Sequence, residues 1–283
     1  MKFLISGNYK KTGYITLREY MPQVSVVTSV YNGEAFLEEC VNSILNQTFK
    51  DFEYIILNNG STDRTPEILK NYSDPRLRII HQENLGVPKS LNKGISLCRA
   101  NLMSHLDADD YVHPQWLEKH IEFMTQNPDV VICSSRFEEL FNGKLYPQSF
   151  PLIEKDDEIR KSLCFMNPIP HSFTTIRKPP LMKSGGYDPK LIIAHDYDLW
   201  IRLLAAGKGH NLNKTLGVCR IHTASFSSTK ERTMIKEAFQ VQWRAYRKLG
   251  GSFWKMAGSL SKRGMAWFFP ISIRSFFRIT KRK

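Results

Sequence analysis

The spacing of apolar residues alternates between two periods along the first half of the chain. Residues 23–30 (QVSVVTSV) are rich in β-branched side chains and read as a buried strand. In residues 34–47 the apolar positions Phe36, Leu37, Cys40, Val41, Ile44 and Leu45 share one helical face. The alternation repeats with a strand over 52–57 and a helix opened by Thr65 as cap and Pro66 in the first helical position. A strand over 76–81, a helix over 87–98, a strand over 101–106, a helix over 114–126 and a strand over 130–133 follow. Strands alternating with helices predict a mostly parallel sheet covered on both faces. In such sheets ligands bind beyond the carboxyl ends of the strands.

Three polar clusters fall at those ends: Ser29-Val30-Tyr31-Asn32, Asn58-Asn59-Gly60-Ser61 and Asp107-Ala108-Asp109-Asp110. Each alone reads as a loop, but three on one sheet edge favour a site. The last cluster sits in HLDADDYVHP, where three carboxylates fall within four residues. Like charges this close raise one another's pKa unless something cationic joins them. They are either solvated turn acids or part of a divalent-metal site, because hard cations take carboxylate oxygens.

Composition narrows the setting. With 283 residues, 42% of them hydrophobic, the chain suits one large domain or one domain with an appendage. The five cysteines have no CxxC spacing, so reduced thiols are expected rather than a thiolate metal site or a disulfide framework. The apolar patch near the N-terminus is too short for a signal-peptide core, and no apolar run approaches the roughly 20 residues of a spanning helix. Charge is uneven: residues 230–283 carry 14 Lys and Arg against two acids, Glu231 and Glu237, which is nearly the whole net charge of +13. The rest of the chain is close to neutral.

Taken together, VSVVTSVYNGEAFLEECVNSILNQTF, FEYIILNNGSTDRT, ENLGVPKSLNKGI and LDADDYVHP resemble, in order and spacing, the family 2 glycosyltransferases of GT-A fold, from about Pro22 to about Ser227. The resemblance implies an α/β fold with a mixed sheet flanked by helices. It also implies inverting transfer of a sugar from a nucleotide-diphosphate-sugar, a UDP-sugar first among them, to a hydroxyl of a lipid-linked or polysaccharide acceptor. Tyr31 would stack on the base, and Ser29 would hydrogen-bond near base or ribose. Asp107-Ala108-Asp109 looks like the family's DXD motif. Asp107 would meet the ribose or metal-bound water, and Asp109 would ligate Mg²⁺ or Mn²⁺, which holds the diphosphate. Asp110 is left between a turn-capping role before Pro114 and a functional one.

The family ends its second strand in two Asp, where this chain has Asn58-Asn59. Asn59 would still accept from a pyrimidine imide, without charge assistance. In the second half, residues 167–177 (NPIPHSFTTIR) resemble the acceptor-side loop and strand, and His171 would face the acceptor. The glycines of GGYD, residues 185–188, suit a tight turn. A helix is predicted over 195–207, with Leu199, Trp200, Leu203 and Leu204 on its apolar face. In the family's Glu-Asp pair here, Asp is the general base. His195 replaces the Glu, and Asp196 keeps the base position. A plain helix N-cap is the alternative for Asp196, and Asp198 would point away from it. After a strand over 215–219, Arg220-Ile221-His222 resembles the R-x-H element whose His reaches diphosphate or metal.

The resulting division is an N-terminal extension (1–21), a catalytic domain (22–229, nucleotide half 22–133 and acceptor half 134–229) and a basic helical tail (230–283). In the tail, seven aromatics mix with cations over 252–283, and beyond Pro270 the residues Ile273, Phe276 and Phe277 share one face of an amphipathic helix. That predicts peripheral contact with an anionic membrane, on the cytoplasmic face; a basic helix packed on the domain is the alternative. Nucleic-acid binding lacks a recognised module. Two other functions stay open. A sugar nucleotidyltransferase lacks support in an early Gly-rich phosphate loop, and a non-catalytic nucleotide-sugar binder is kept open by Asn58-Asn59.

Overall fold

The computed structural model describes residues 21–222 and 231–268. Its centre is a nine-stranded mixed sheet of order β3-β2-β1-β4-β8-β6-β9-β5, with β7 hydrogen-bonded to β6 off that path. The strands are β1 (Val24–Val30), β2 (Phe52–Asn59), β3 (Leu77–Gln82), β4 (Leu102–His105), β5 (Tyr111–Val112), β6 (Val130–Phe141), β7 (Lys144–Pro147), β8 (Thr174–Arg177) and β9 (Lys208–Arg220). The first four are parallel, whereas β8 runs antiparallel between β4 and β6. The sheet is therefore mixed: β1 to β4 form a parallel first half, and in the second half β6 and β9 pair parallel beside antiparallel β8, β7 and β5.

Side-chain alternation builds a core on each face. Val24, Val26 and Val30 of β1 and Tyr54 and Ile56 of β2 face α1 (Leu37–Leu45), α2 (Thr65–Lys70) and α4 (Trp116–Gln126). The intervening Val27, Ile55 and Leu57 face α3 (Val87–Leu97), and the same core takes in α5 (Asp156–Ser162), α6 (Lys178–Lys183) and α7 (His195–Leu203). Period two along the strands thus serves helices on both sides. Helix α3 lies unusually near the sheet: a Cβ on Gly94 would come within 2.6 Å of Val27 Cγ1 and 2.9 Å of Leu57 Cδ1.

Five predicted elements, three helices and two strands, differ in their bounds. The helix predicted over 34–47 begins at Leu37, because Glu34 is tied to another loop: its amide donates to Asp63 Oδ2 and its carboxylate accepts from the Arg64 amide. Thr65 is the first residue of α2 and not its cap; its hydroxyl accepts from the Gly33 amide instead. Helix α7 stops at Leu203 rather than 207, and Gly207 turns the chain into β9 so close to β6 that a Cβ there would lie 2.4 Å from Val131 Cγ1. Strands β6 and β9 run far beyond the predicted 130–133 and 215–219. Their pairing contains register shifts that break simple alternation, and Asn211, polar in sequence, is buried with its amide donating to the Ile153 and Pro168 carbonyls.

The described part of the segment assigned as the tail packs on the domain. Helix α8 (Glu231–Leu249) places Val241 and Ala245 in the same core as α7. Arg244 ion-pairs with the buried Asp198, and Gln242 donates to the Phe165 carbonyl. Helix α9 (Phe253–Phe268) follows, with Met256 buried and Ser259 donating to the same carbonyl. The amphipathic segment predicted after Pro270 lies outside the described residues. No helix among the described residues is long and apolar enough to cross a membrane.

Candidate active site

The carboxyl ends of β1 and β2 are joined by reciprocal bonds. Asn32, at φ 54°, donates its amide to Ser61 Oγ and accepts from the Thr62 amide through Oδ1. These contacts, with Gly33–Thr65 and Glu34–Asp63, fix the rim on which Tyr31 stands half exposed (51%), its ring open for stacking. Ser29, partly exposed on β1, sits opposite Leu57 in register, one step before the Val30–Asn58 pair.

Asn59 does different work from that expected. It is buried, and its Oδ1 accepts from Gln82 Nε2 at 3.0 Å, the Leu85 amide at 2.9 Å and Ser90 Oγ at 2.8 Å. With three internal donors on that oxygen, no lone pair is left for a base imide. The residue instead organises the β3–α3 loop, its Nδ2 donating to Asn84 Oδ1.

The three acids after β4 have three environments. Asp107 Oδ1 lies 3.0 Å from His105 Nε2 and 3.5 Å from His171 Nδ1. Desolvation opposes its charge, but the two imidazoles, His171 first, hold its carboxyl well below the usual carboxylate range. Asp109 Oδ2 lies 3.0 Å from His222 Nε2. Desolvation and the neighbouring Asp107 raise its pKa. Asp110 is buried, and its Oδ1 accepts the Arg220 amide at 2.9 Å, anchoring the end of β9. Burial, then Asp109 and Asp107, pushes its pKa well above the ordinary value.

The Arg220 guanidinium stacks over Phe36 (4.9 Å) and Tyr111 (5.2 Å) and ion-pairs with Glu39 of α1, while its buried Nε has no hydrogen-bond partner among the described residues. Its neighbour His222 is the residue that reaches the acids.

His105 was missed in the sequence, although it lies two residues before Asp107, as the last residue of β4. It is buried, and its Nδ1 lies 3.0 Å from the Val27 carbonyl, which only accepts. Nδ1 therefore carries a proton. Nε2 then meets a carboxylate, so a second proton, or a cation shared by both, lies between them. The ligand atoms of His105, Asp107 and His171 fall within 4.8 Å of one another, near enough to share one ion. Asp109 with His222 is a second pair able to ligate one, and carboxylate with imidazole is a donor set that Mn²⁺ accepts.

His171 links these acids to the acceptor side. Its Nε2 is 3.1 Å from Tyr187 Oη, and its ring lies 5.1 Å from that of His195. Burial works against a charge on His171, but Asp107 raises its pKa overall. Tyr187, also missed, is placed by Asn92, whose side chain pairs with both its amide and its carbonyl, next to Gly185 and Gly186 at φ 85° and 66°. His195 is buried, with Nδ1 donating to the Ile192 carbonyl at 3.2 Å. Burial, then His171, pushes its pKa down to about 4. The ring is neutral, and its buried Nε2 is without a partner among the described residues.

Asp196 is in the first turn of α7 but does not cap it; Ala194 occupies that position and offers no side-chain bond. One Asp196 oxygen, Oδ2, accepts from Asn167 Nδ2 at 2.8 Å, and no partner of Oδ1 is among the described residues. Three amides just ahead of it, those of Ile192, Ile193 and Ala194, donate to the buried Glu237 of α8 at 2.8–2.9 Å. Asp198 points into the fold, paired with Arg202 and Arg244.

A groove of about 850 Å³ lined by Asp129, Asp156, Arg160 and Lys208 lies at the opposite end of the sheet, where β6 and β9 begin. Four of its charges pair off as Lys208–Asp129 and Arg160–Asp156, and the fifth is Lys248, so no unpaired carboxylate or imidazole lines it among the described residues, and the carboxylate–imidazole cluster is the candidate site.

Comparison with known proteins points the same way. Residues 25–184 match the model of Glycosyl transferase family 2. A glycosyltransferase of Methanocaldococcus jannaschii without assigned function is 37% identical over 190 residues, which span 65% of each chain. The crystal structure of S. aureus TarS 1–349 in complex with UDP-GlcNAc superposes with a TM-score of 0.67 at 19% identity, covering 85% of this chain and 71% of that one. A mannosyltransferase of Pyrobaculum calidifontis in complex with GDP-Man and Mn²⁺ gives 0.64 at 15% identity, covering 93% and 81%. Asp196 and His222 lie beyond the matched residues, so their roles rest on geometry.

Proposed function

The chain belongs to Glycosyl transferase family 2, and from that premise we propose that it transfers a sugar, with inversion, from a nucleotide-diphosphate-sugar to a hydroxyl of a lipid-linked or polysaccharide acceptor at a membrane surface. The observation that carries the reading is the meeting of Asp109 with His222 across 113 residues of chain, in a pocket that His171 joins to the Asp196 side. The structural neighbours hold UDP-GlcNAc and GDP-Man, which supports a nucleoside-diphosphate donor; we take a UDP-sugar as the first candidate.

Tyr31 offers the stacking face for the base, with Ser29 beside it, while Asn59 shapes the adjoining loop. Asp107, held ionised by His105 and His171, accepts hydrogen bonds from the donor sugar or ribose. Asp109 and His222 are the residues that would hold Mg²⁺ or Mn²⁺, which supplies charge neutralisation for the departing diphosphate. Asp196, steered by Asn167 through Oδ2, takes the proton of the acceptor hydroxyl through Oδ1 as the hydroxyl oxygen attacks the anomeric carbon and the bond from that carbon to the diphosphate oxygen breaks. The neutral His195 offers Nε2 as a further acceptor for the same hydroxyl group's sugar.

The test is to incubate the chain with UDP- and GDP-sugars, Mn²⁺ and a glycan acceptor, and measure released nucleotide. Release of nucleoside diphosphate, abolished in Asp109→Ala together with metal-dependent donor binding, is the expected result. Unchanged Mn²⁺-dependent turnover in that variant refutes the metal assignment. Release of pyrophosphate instead would make the protein a nucleotidyltransferase, and no release with donor bound would make it a binder.

A further inference from the structure

Helix α8 has two unlike faces. The inner one carries Glu237, Ala238, Val241, Gln242 and Ala245, all buried against the domain. The outer one carries Phe239 (53% exposed) and Trp243 (44%), large apolar side chains left in solvent. From Trp243 the rings continue across the corner into α9. Trp243 and Tyr246 have centroids 6.0 Å apart, Tyr246 and Phe253 6.0 Å, and Phe253 and Trp254 5.7 Å, and Trp254 is 82% exposed. A groove of about 550 Å³ runs along this ridge, lined by Phe239, Gln240, Trp243, Arg244, Arg247 and Lys248.

The charge beside the ridge is of one sign. Arg247, Lys248 and Lys255 are exposed, and among the described residues none of them has a carboxylate partner. The segment after residue 230 has two acids, and one of them, Glu237, is turned inward onto the amides ahead of α7. A contiguous exposed row of Trp, Tyr and Phe marks an interaction surface. Rings with an apolar body and a polar handle settle at the headgroup level of a bilayer, and unpaired Lys and Arg are drawn to anionic lipid.

We infer that the α8–α9 corner is the docking face for an anionic bilayer. This surface is distinct from the segment after Pro270 and belongs to the folded domain. Its position also orients the site: Glu237, on the opposite side of α8, holds the amides of Ile192 to Ala194, two residues before Asp196. A bilayer along the outer face of α8 therefore runs alongside α7, the helix that carries the proposed base, with Glu237 towards the end of α8 nearest Asp196 and Lys248 at the far end of α7. That orientation rests on the transfer reading; the docking itself does not, and its test reads no activity.

The test is flotation of the full chain with vesicles of phosphatidylcholine alone or mixed with phosphatidylglycerol. Binding to the mixed vesicles only, weakening as salt rises, is expected, with brominated lipid quenching Trp fluorescence. Trp243→Ala/Trp254→Ala and Arg247→Glu/Lys248→Glu should each lower partitioning by about tenfold or more, since the changes remove inserted rings or reverse two lipid-facing charges. Melting temperatures should stay at the wild-type value because all four side chains lie on the surface. Failure of the wild type to bind overturns the inference. So does wild-type flotation by both variants, which would move the contact to 269–283. Self-association in sedimentation that the Trp variant abolishes, without vesicle binding, would reassign the face to a second copy of the chain.

Discussion

On the donor side of the pocket, the loops after β1 and β2 grip each other through several separate bonds, Asn32 with Ser61 and Thr62, Gly33 with Thr65, Glu34 with Asp63 and Arg64. On the acceptor side, the approach to α7 is held by one carboxylate, Glu237, that takes three amides at once. The first arrangement is redundant, so the loss of one member leaves the others in place. The second is concentrated, so its loss leaves three donors unmatched together. Redundancy suits a rim that has only to hold a base and a diphosphate near the strand ends. Concentration places the geometry of Asp196 under the control of a single residue on a neighbouring helix.

The largest expected effect comes from Asp196 itself. Asp196→Asn should lower turnover by roughly 10²–10⁴-fold while donor binding persists, measured by steady-state kinetics beside isothermal titration with nucleotide-sugar; turnover within a few fold of wild type would reduce Asp196 to a structural residue. Next, Glu237→Ala should cost about 3 kcal/mol or more in urea unfolding, because hydrogen bonds to a charged group contribute about 1.5–3 kcal/mol each and the abandoned amides are only partly rehydrated. Asn32→Ala should cost only about 1 kcal/mol. Equal costs for the two variants would erase the contrast between concentrated and redundant support.

An effect of a different kind concerns acid, and it is absent at neutral pH. Burial pushes His120 down to about 3, and burial with His171 pushes His195 down to about 4. Both rings are neutral in the fold but take up protons near pH 6.5 when unfolded. The folded state thus binds fewer protons below pH 6.5, and stability present above that pH falls as the pH drops toward 4, by up to about 1.4 kcal/mol per pH unit for each ring. His120→Gln should flatten part of this slope in thermal unfolding followed between pH 7 and 4, a range set by those two directions of titration. The smallest effect should be that of Asn59→Asp. Its three donors can bond a carboxylate as well as an amide oxygen, and the bond lost is the one from Nδ2 to Asn84 Oδ1, which keeps the Gly86 amide, so unfolding free energy should change by about 1 kcal/mol or less. A larger loss would mean that the Nδ2 to Asn84 bond fixes the loop.

The same contrast explains what was legible in the sequence. The donor rim is written in short contiguous stretches, because the loops at adjacent parallel strand ends meet wherever the strand pattern places them. Residues 29–32, 58–61 and 107–110 could therefore be grouped from the pattern of strands alone. The acceptor side depends on partners with no local sign. Glu237 lies in a basic amphipathic helix, where a lone acid looks like a solvated surface charge, and only the packing of Val241 and Ala245 turns it inward. Asn167 carried no spacing signal toward Asp196, and Asn59 could not be seen to be filled until Gln82, Leu85 and Ser90 were brought around it. His105 stood two residues from Asp107 in the same contiguous stretch, but at the last position of β4, so only the turn of the chain after the strand brings its Nε2 to that carboxylate.

The Glu237 clamp also makes the protein its own gauge. The amides of residues 192–194 stand outside regular secondary structure, yet each is bonded to a buried carboxylate. Their deuterium exchange should be slow for as long as α8 is seated and should rise together when it lifts, since local opening sets the rate. Three consecutive amides changing as one would distinguish an undocked helix from a frayed loop. Mass spectrometry of the peptide that contains them, with and without vesicles or donor, would follow that seating in the unmodified chain.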